Sequence, residues 1–218
     1  VAFGMWREGT LPLWNPYLYA GMPLLASIEV GVLYPPNWLH LVVSTERAFC
    51  LLYVFHAALA AGGTWWFARQ RGLRHEAALF AVVSFTFASP MILHHDKGMT
   101  SIVYSAAWFP AILAMINRVL ARRTFRSACG LAGLLACQFL AGFPLFTLAL
   151  AWMIAGSLLT FSVNWKQPWG SSNRVSLLLM LTAAGLALGL VAPQLLSTLD
   201  YLAQSRRSDL SYAQSTHA

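Results

Sequence analysis

The chain has 218 residues, 58% of them hydrophobic and only 10% charged, with a formal net charge of +7. A soluble domain carries about a quarter charged residues, so there is too little polar material here to coat a globule in water, and the membrane class leads. The basic residues punctuate long apolar runs instead of clustering with aromatics, which argues for a bilayer and against nucleic acid as the partner.

The opening VAFGMWREG has neither an initiator Met nor a basic segment followed by an apolar core, so it is no signal peptide and reads as a start within something longer. Residues 11–38 follow as LPLWNPYLYAGMPLLASIEVGVLYPPNW, with no charge between Glu8 and Glu29. Pro12, Asn15-Pro16, Gly21, Pro23 and Pro35-Pro36 interrupt this greasy stretch. Proline inside a helix costs ~3 kcal/mol and removes a backbone hydrogen bond, and unsatisfied backbone groups are expensive in lipid. The expectation is an ordered outer loop over 1–46 with short interfacial helices, held at the membrane surface by Trp6, Trp14, Tyr17, Tyr19, Tyr34 and Trp38.

A span needs about 20 mostly apolar residues. The charge-free windows predict six, over 48–68, 77–93, 101–118, 127–142, 144–163 and 175–196, within a helical bundle over 47–200. The long window from Ser127 to Trp165 is divided at Ala141-Gly142-Phe143-Pro144, because Gly and Pro together favour a break. Pro110 and Pro193 read as helix kinks or ends. A polar outer segment occupies 201–218. The fold class is therefore an all-α polytopic membrane protein.

Charge placement supports this count. Six spans put Arg69, Arg71, Arg74, Arg118, Arg122, Arg123, Arg126, Lys166 and Arg174 on one side, and Arg7, Arg47, Lys97, Arg206 and Arg207 on the other. Short loops rich in Lys and Arg stay cytoplasmic, so the opening loop is expected outside. Glu8, Glu29, Glu46, Asp96, Asp200 and Asp209 share that outer side, either because a working site stands there or because acids are merely not excluded from it.

The densest polar cluster is His94-His95-Asp96-Lys97, after the second span. Histidine titrates near neutrality and ligates metals, Asp serves as a base or binds a divalent ion, and Lys pairs with phosphate as a point charge. A solvated capping loop is the plain alternative. Glu29, alone among Leu, Ala, Ile and Val, is either a surface carboxylate or a buried acid of raised pKa. Arg206 and Arg207 follow the last span, against the positive-inside trend, where Arg suits bidentate phosphate recognition or simple headgroup contact. His56 and Gln138 lie inside spans: His56 reads as a group that hydrogen-bonds between helices, and Gln138, four residues before Gly142, either packs or lines the outer break. Cys50, Cys129 and Cys137 read as small buried hydrophobes, and no metal site is written at zinc-ligand spacing. There is no phosphate-binding loop with a following Lys, no GxSxG and no HExxH.

The run Gly9-Thr10-Leu11-Pro12-Leu13-Trp14-Asn15-Pro16-Tyr17, then Gly21-Met22-Pro23 and Leu33-Tyr34-Pro35-Pro36-Asn37, resembles the first outer loop of the YfhO-like bacterial membrane proteins. Phe87-Ala88-Ser89, Ala107-Trp108-Phe109-Pro110, Gly142-Phe143-Pro144 and Pro193-Gln194-Leu195-Leu196 continue the resemblance in order. These large polytopic proteins are regarded as glycosyltransferases of the GT-C type. The resemblance implies a bacterial inner-membrane enzyme moving a sugar from a polyprenyl-phosphate donor to an extracytoplasmic glycan or polymer. It also implies that the main catalytic acid lies upstream of Val1, and that the family continues past this chain with further spans and an outer domain. Two departures stand out: Glu29 replaces a residue that is often neutral and polar, and Phe143 one that is often His.

Such a transferase must deprotonate an acceptor hydroxyl and neutralise a departing lipid phosphate with Arg, Lys or a divalent metal. On this reading Glu29, Asp96 and His94 are the candidate catalytic residues, with Glu29 in the acceptor groove. His95, Lys97 and Arg206 are the phosphate-binding candidates. A transporter or flippase for a lipid-linked substrate is the second reading, although spans nearly free of charge and without a visible repeat weigh against it. A non-catalytic membrane scaffold is the third, and it predicts no groove joining Glu29 to the His94 loop.

Overall fold

A computed structural model describes residues 1–18, 20–88, 99–147, 151 and 171–203. The described residues are mostly helical, in the order α1 (Ala2–Arg7), α2 (Thr45–Gln70), α3 (His75–Thr86), α4 (Thr100–Ala107), α5 (Phe109–Arg122), α6 (Phe125–Leu140) and α7 (Ser171–Ala203). Among the described residues three stretches are long and apolar enough to cross a membrane: Thr45–Gln70, Thr100–Arg122 and Arg174–Ala203.

The first and third of these run beyond the expected 48–68 and 175–196 at both ends, since helices extend through polar residues past a hydrocarbon core. The second, α4 followed by α5, pauses at Trp108 because Pro110 sits at the start of α5 and has no N–H to continue the ladder. Of the helix expected over 77–93, α3 covers the residues up to Thr86, and residues 89–93 lie outside the described residues. Phe87 and Ala88 lie outside the helix. The break at 141–144 is present. α6 stops at Leu140, Gly142 adopts φ 103°, and a new helical turn starts at Pro144.

Small residues line the helix contacts. Ala48, Ala60, Ala107, Ala114, Ala128, Ala132 and Ala183 are buried, and a Cβ on Gly63 would lie 2.8 Å from the Ala111 nitrogen, so α2 and α5 meet backbone to backbone there. The large apolar side chains point the other way: Phe49, Leu51 and Val54 on α2, Phe80 and Val83 on α3, and Leu178, Leu181, Leu188 and Leu190 on α7 are exposed. Apolar bulk outside and small residues inside is the arrangement lipid asks for. Cys50 and Cys129 belong to this outer surface and Cys137 is half-buried, which corrects the expectation that all three are buried.

The opening residues form an ordered cap at one end of the bundle, made of α1, 3-10 helices at Ile28–Val30 and Pro35–Leu41, and a minimal hairpin, β1 (Trp14–Asn15) with β2 (Met22–Pro23). The hairpin pairs Trp14 with Pro23 and Asn15 with Met22, a short departure from an all-helical chain. The Asn15 side-chain oxygen accepts from the Tyr17 N–H at 3.0 Å, which closes the turn through Pro16. Trp14, Tyr17 and Trp38 are exposed, as surface anchors would be, but Tyr34 is completely buried.

The ends of the bundle differ in kind. One end carries the cap, against the starts of α2 and α4, the end of α6 and the last turns of α7. The other gathers the ends of α2 and α5 in one cleft with Arg71, Arg118 and Arg122, and there Arg123 Nε donates to Ser176 Oγ of α7 at 3.2 Å.

Candidate functional site

The cap is bonded to the bundle at several points. Arg7 of α1 donates to the carbonyls of His40 and Val43. Gln194 Nε2 and Thr198 Oγ1 of α7 donate to Leu25 O and Ala26 O at 2.6 and 2.9 Å. Gly142 backs onto the 3-10 turn of the cap so closely that a Cβ there would stand 2.8 Å from Ile28 O. Its neighbour Phe143 donates its N–H to Ser105 Oγ of α4 at 3.2 Å.

Beneath the cap a hydrogen-bonded chain runs into the bundle. Trp108 Nε1 donates to the Tyr34 hydroxyl at 2.8 Å, and that hydroxyl lies 2.6 Å from His56 Nε2. His56 Nδ1 lies 2.6 Å from Leu52 O. A carbonyl can only accept, so Nδ1 carries the proton and Nε2 receives the Tyr34 O–H. Every polar group in this chain is satisfied by the neutral ring, and burial holds the Tyr34 phenol well above its ordinary pKa, so it stays protonated. His56 thus bonds to the cap, not between helices, and it also stacks on Tyr104 with centroids 3.9 Å apart and planes 7° from parallel.

A cavity of about 320 Å3 opens between the cap and the helix ends, with Glu29, Asn37, His40, Thr100, Ser101 and Tyr104 among its lining residues. Asn37 Oδ1 and the Tyr104 hydroxyl are buried without a hydrogen-bond partner among the described residues. Buried polar atoms are rarely left so, and a hydroxyl-bearing ligand is one thing that would complete them. His40 is packed between Phe3, at a centroid distance of 5.1 Å, and Phe49, at 5.0 Å. Burial, and secondarily the Arg7 charge, lower its pKa from the usual value and favour the neutral ring.

Of the residues expected to carry chemistry, Glu29 is described. It sits on the 3-10 turn Ile28–Val30, exposed at the cavity wall, which decides for the surface carboxylate over the buried acid. His94, His95, Asp96, Lys97 and Arg206 lie outside the described residues. Among the described residues no group of three His, Cys, Asp or Glu could hold a metal ion. Gln138 is buried as expected, accepting from Thr147 Oγ1 at 3.0 Å.

Sequence reasoning missed Tyr104, His40 and the inward role of Tyr34. No local signal marked Tyr34, because its partners His56 and Trp108 are distant in the sequence. No family model, curated protein or solved structure matches the chain.

Proposed function

We propose that this chain is the membrane part of a GT-C-type glycosyltransferase. It moves a sugar from a polyprenyl-phosphate donor to an extracytoplasmic glycan or polymer, and the cavity under the cap receives the acceptor. On this reading the chain crosses the inner membrane of a bacterium six times, with the cap outside. The observation that carries the reading is the cavity itself: Glu29 shares its lining with Thr100 and Ser101, three and four positions after Lys97 in the sequence. A scaffold has no use for such a space, and a transporter would be expected to keep its ionisable groups at mid-membrane. Glu29 accepts a hydrogen bond or a proton from an acceptor hydroxyl, while Lys97 and Arg206 meet the departing phosphate. The ordered motifs of the opening stretch support the same class by resemblance.

The test is transfer of labelled sugar from a polyprenyl-phosphate donor to membrane-associated glycan by the full-length protein. Asp96→Ala and Arg206→Ala are expected to lower it by about 10²-fold or more, the size of one acid–base or electrostatic contribution. Glu29→Gln should act chiefly on acceptor KM. Wild-type transfer in both Asp96→Ala and Arg206→Ala would refute the assignment.

A further inference from the structure

At the end of the bundle away from the cap, a cleft of about 400 Å3 is lined by Trp66 and Gln70 of α2, by Arg71 directly after it, and by Asn117, Arg118 and Arg122 of α5. The residues come from matching faces: Trp66 and Gln70 are four apart, as are Arg118 and Arg122, so each pair stacks along one side of its helix. We propose that this cleft holds the phosphate of an anionic phospholipid headgroup.

Three guanidinium groups share one opening with no acid among its described lining residues. The Arg74–Glu76 ion pair, Nε to Oε2 at 3.6 Å, lies outside it. Cations near a helix C-terminus are favoured by its dipole, but here the helix ends are served by other groups. Arg71 and Leu73 N–H close the carbonyls of α2, Arg123 N–H closes Val119 O, and the Arg69 guanidinium goes to Leu73 O. The cleft arginines are therefore surplus to capping, and their mutual repulsion is relieved by a bound anion. Arginine presents a planar fork matched to phosphate oxygens. The carboxamides of Gln70 and Asn117 add neutral donors and acceptors for the glycerol and ester oxygens, and the Trp66 indole suits headgroup depth. Position decides the source of the phosphate. Gln70 and Arg122 are the last residues of two membrane-length helices, Thr45–Gln70 and Thr100–Arg122, so the cleft opens where those helices leave the hydrocarbon and where the local anion is a lipid headgroup.

The experiment is native mass spectrometry and thermal unfolding of the purified full-length protein in neutral detergent. The probes are phosphatidylglycerol, phosphatidylcholine, sn-glycerol 3-phosphate and inorganic phosphate. Phosphatidylglycerol is expected to remain bound and raise the Tm, while the other three do neither. R71Q/R118Q/R122Q should bind it on the order of a hundredfold more weakly, and R118Q alone about fivefold more weakly, since each basic residue at the surface carries a similar share. The single variant keeps the comparison valid if the triple one does not fold. R74Q/R126Q, at the same end but outside the cleft, should bind as the wild type does. Equal retention of phosphatidylcholine, equal protection by either soluble phosphate, wild-type binding by R118Q, or matching loss in R74Q/R126Q would each overturn the site.

Discussion

The hydroxyl of Tyr34 receives a hydrogen bond from Trp108, 74 positions away, and gives one to His56, so a single oxygen joins the cap to α2 and to the α4–α5 junction. Phenylalanine would fill almost the same space but leave the Trp108 N–H and His56 Nε2 buried and unpaired. Each such orphan costs about 1–3 kcal/mol. Tyr34→Phe is thus expected to destabilise the purified protein by about 2 kcal/mol or more, read from denaturant unfolding in detergent micelles. A cycle with Trp108→Phe should show coupling of roughly 1 kcal/mol, because the second change removes a donor that the first has already orphaned. A Tyr34→Phe variant as stable as the wild type would mean that the oxygen does not join these elements. Nothing local to the sequence separates Tyr34 from the exposed Trp14, Tyr17 and Trp38. All four sit in one aromatic, proline-broken stretch, and only the tertiary position of His56 and Trp108 decides which ring turns inward.

At the scale of elements, the contact between cap and bundle depends on the turn after α6. Gly142 has φ 103°, and a Cβ there would stand 2.8 Å from Ile28 O and 3.1 Å from Glu29 Cα, backbone atoms that cannot rotate away. Gly142→Ala is expected to cost about 2 kcal/mol or more from overpacking and left-handed strain together, and to speed protease cleavage within the cap. Gly133, in the middle of α6 with nothing within 4 Å of its would-be Cβ, is the control: Gly133→Ala should be neutral or gain about 0.5–1 kcal/mol. Equal effects of the two would show that the cap does not rest on this turn. The turn itself was legible, because Ala-Gly-Phe-Pro breaks an apolar run whatever surrounds it. The presence of α2 and α7 was legible for a similar reason, since hydropathy alone carries it, but their polar ends were not. The stop of α3 at Thr86 was less so, because Phe87 and Ala88 continue the same charge-free apolar window. The cavity was not legible. It depends on which loop residues meet which helix ends, and of its walls only Glu29 announced itself, by its isolated charge.

For the whole molecule, the decisive asymmetry is between its ends. Arg69, Arg71, Arg74, Arg118, Arg122, Arg123, Arg126 and Arg174 belong to the helix termini and turns away from the cap, whereas Arg7 and Arg47 accompany Glu8, Glu29, Glu46 and Asp200 near it. Basic residues close to span ends resist translocation, so the cap is expected on the outer face. In a background with Cys50, Cys129 and Cys137 replaced by Ala, Glu8→Cys should react with a membrane-impermeant maleimide in intact cells. Leu73→Cys and Arg126→Cys should react only after permeabilisation. All three positions are exposed, and either basic-end change leaves at least seven of the arginines named above in place. Leu73 and Arg126 lie in different turns, so their agreement tests more than orientation: both must share a face if α2 and α5 run in the same direction through the bundle. Labelling that is reversed at every site would overturn only the choice of outer face. Labelling of Leu73→Cys and Arg126→Cys from opposite sides would break the two-ended arrangement, and the arginine cleft, built from one helix of each turn, would go with it.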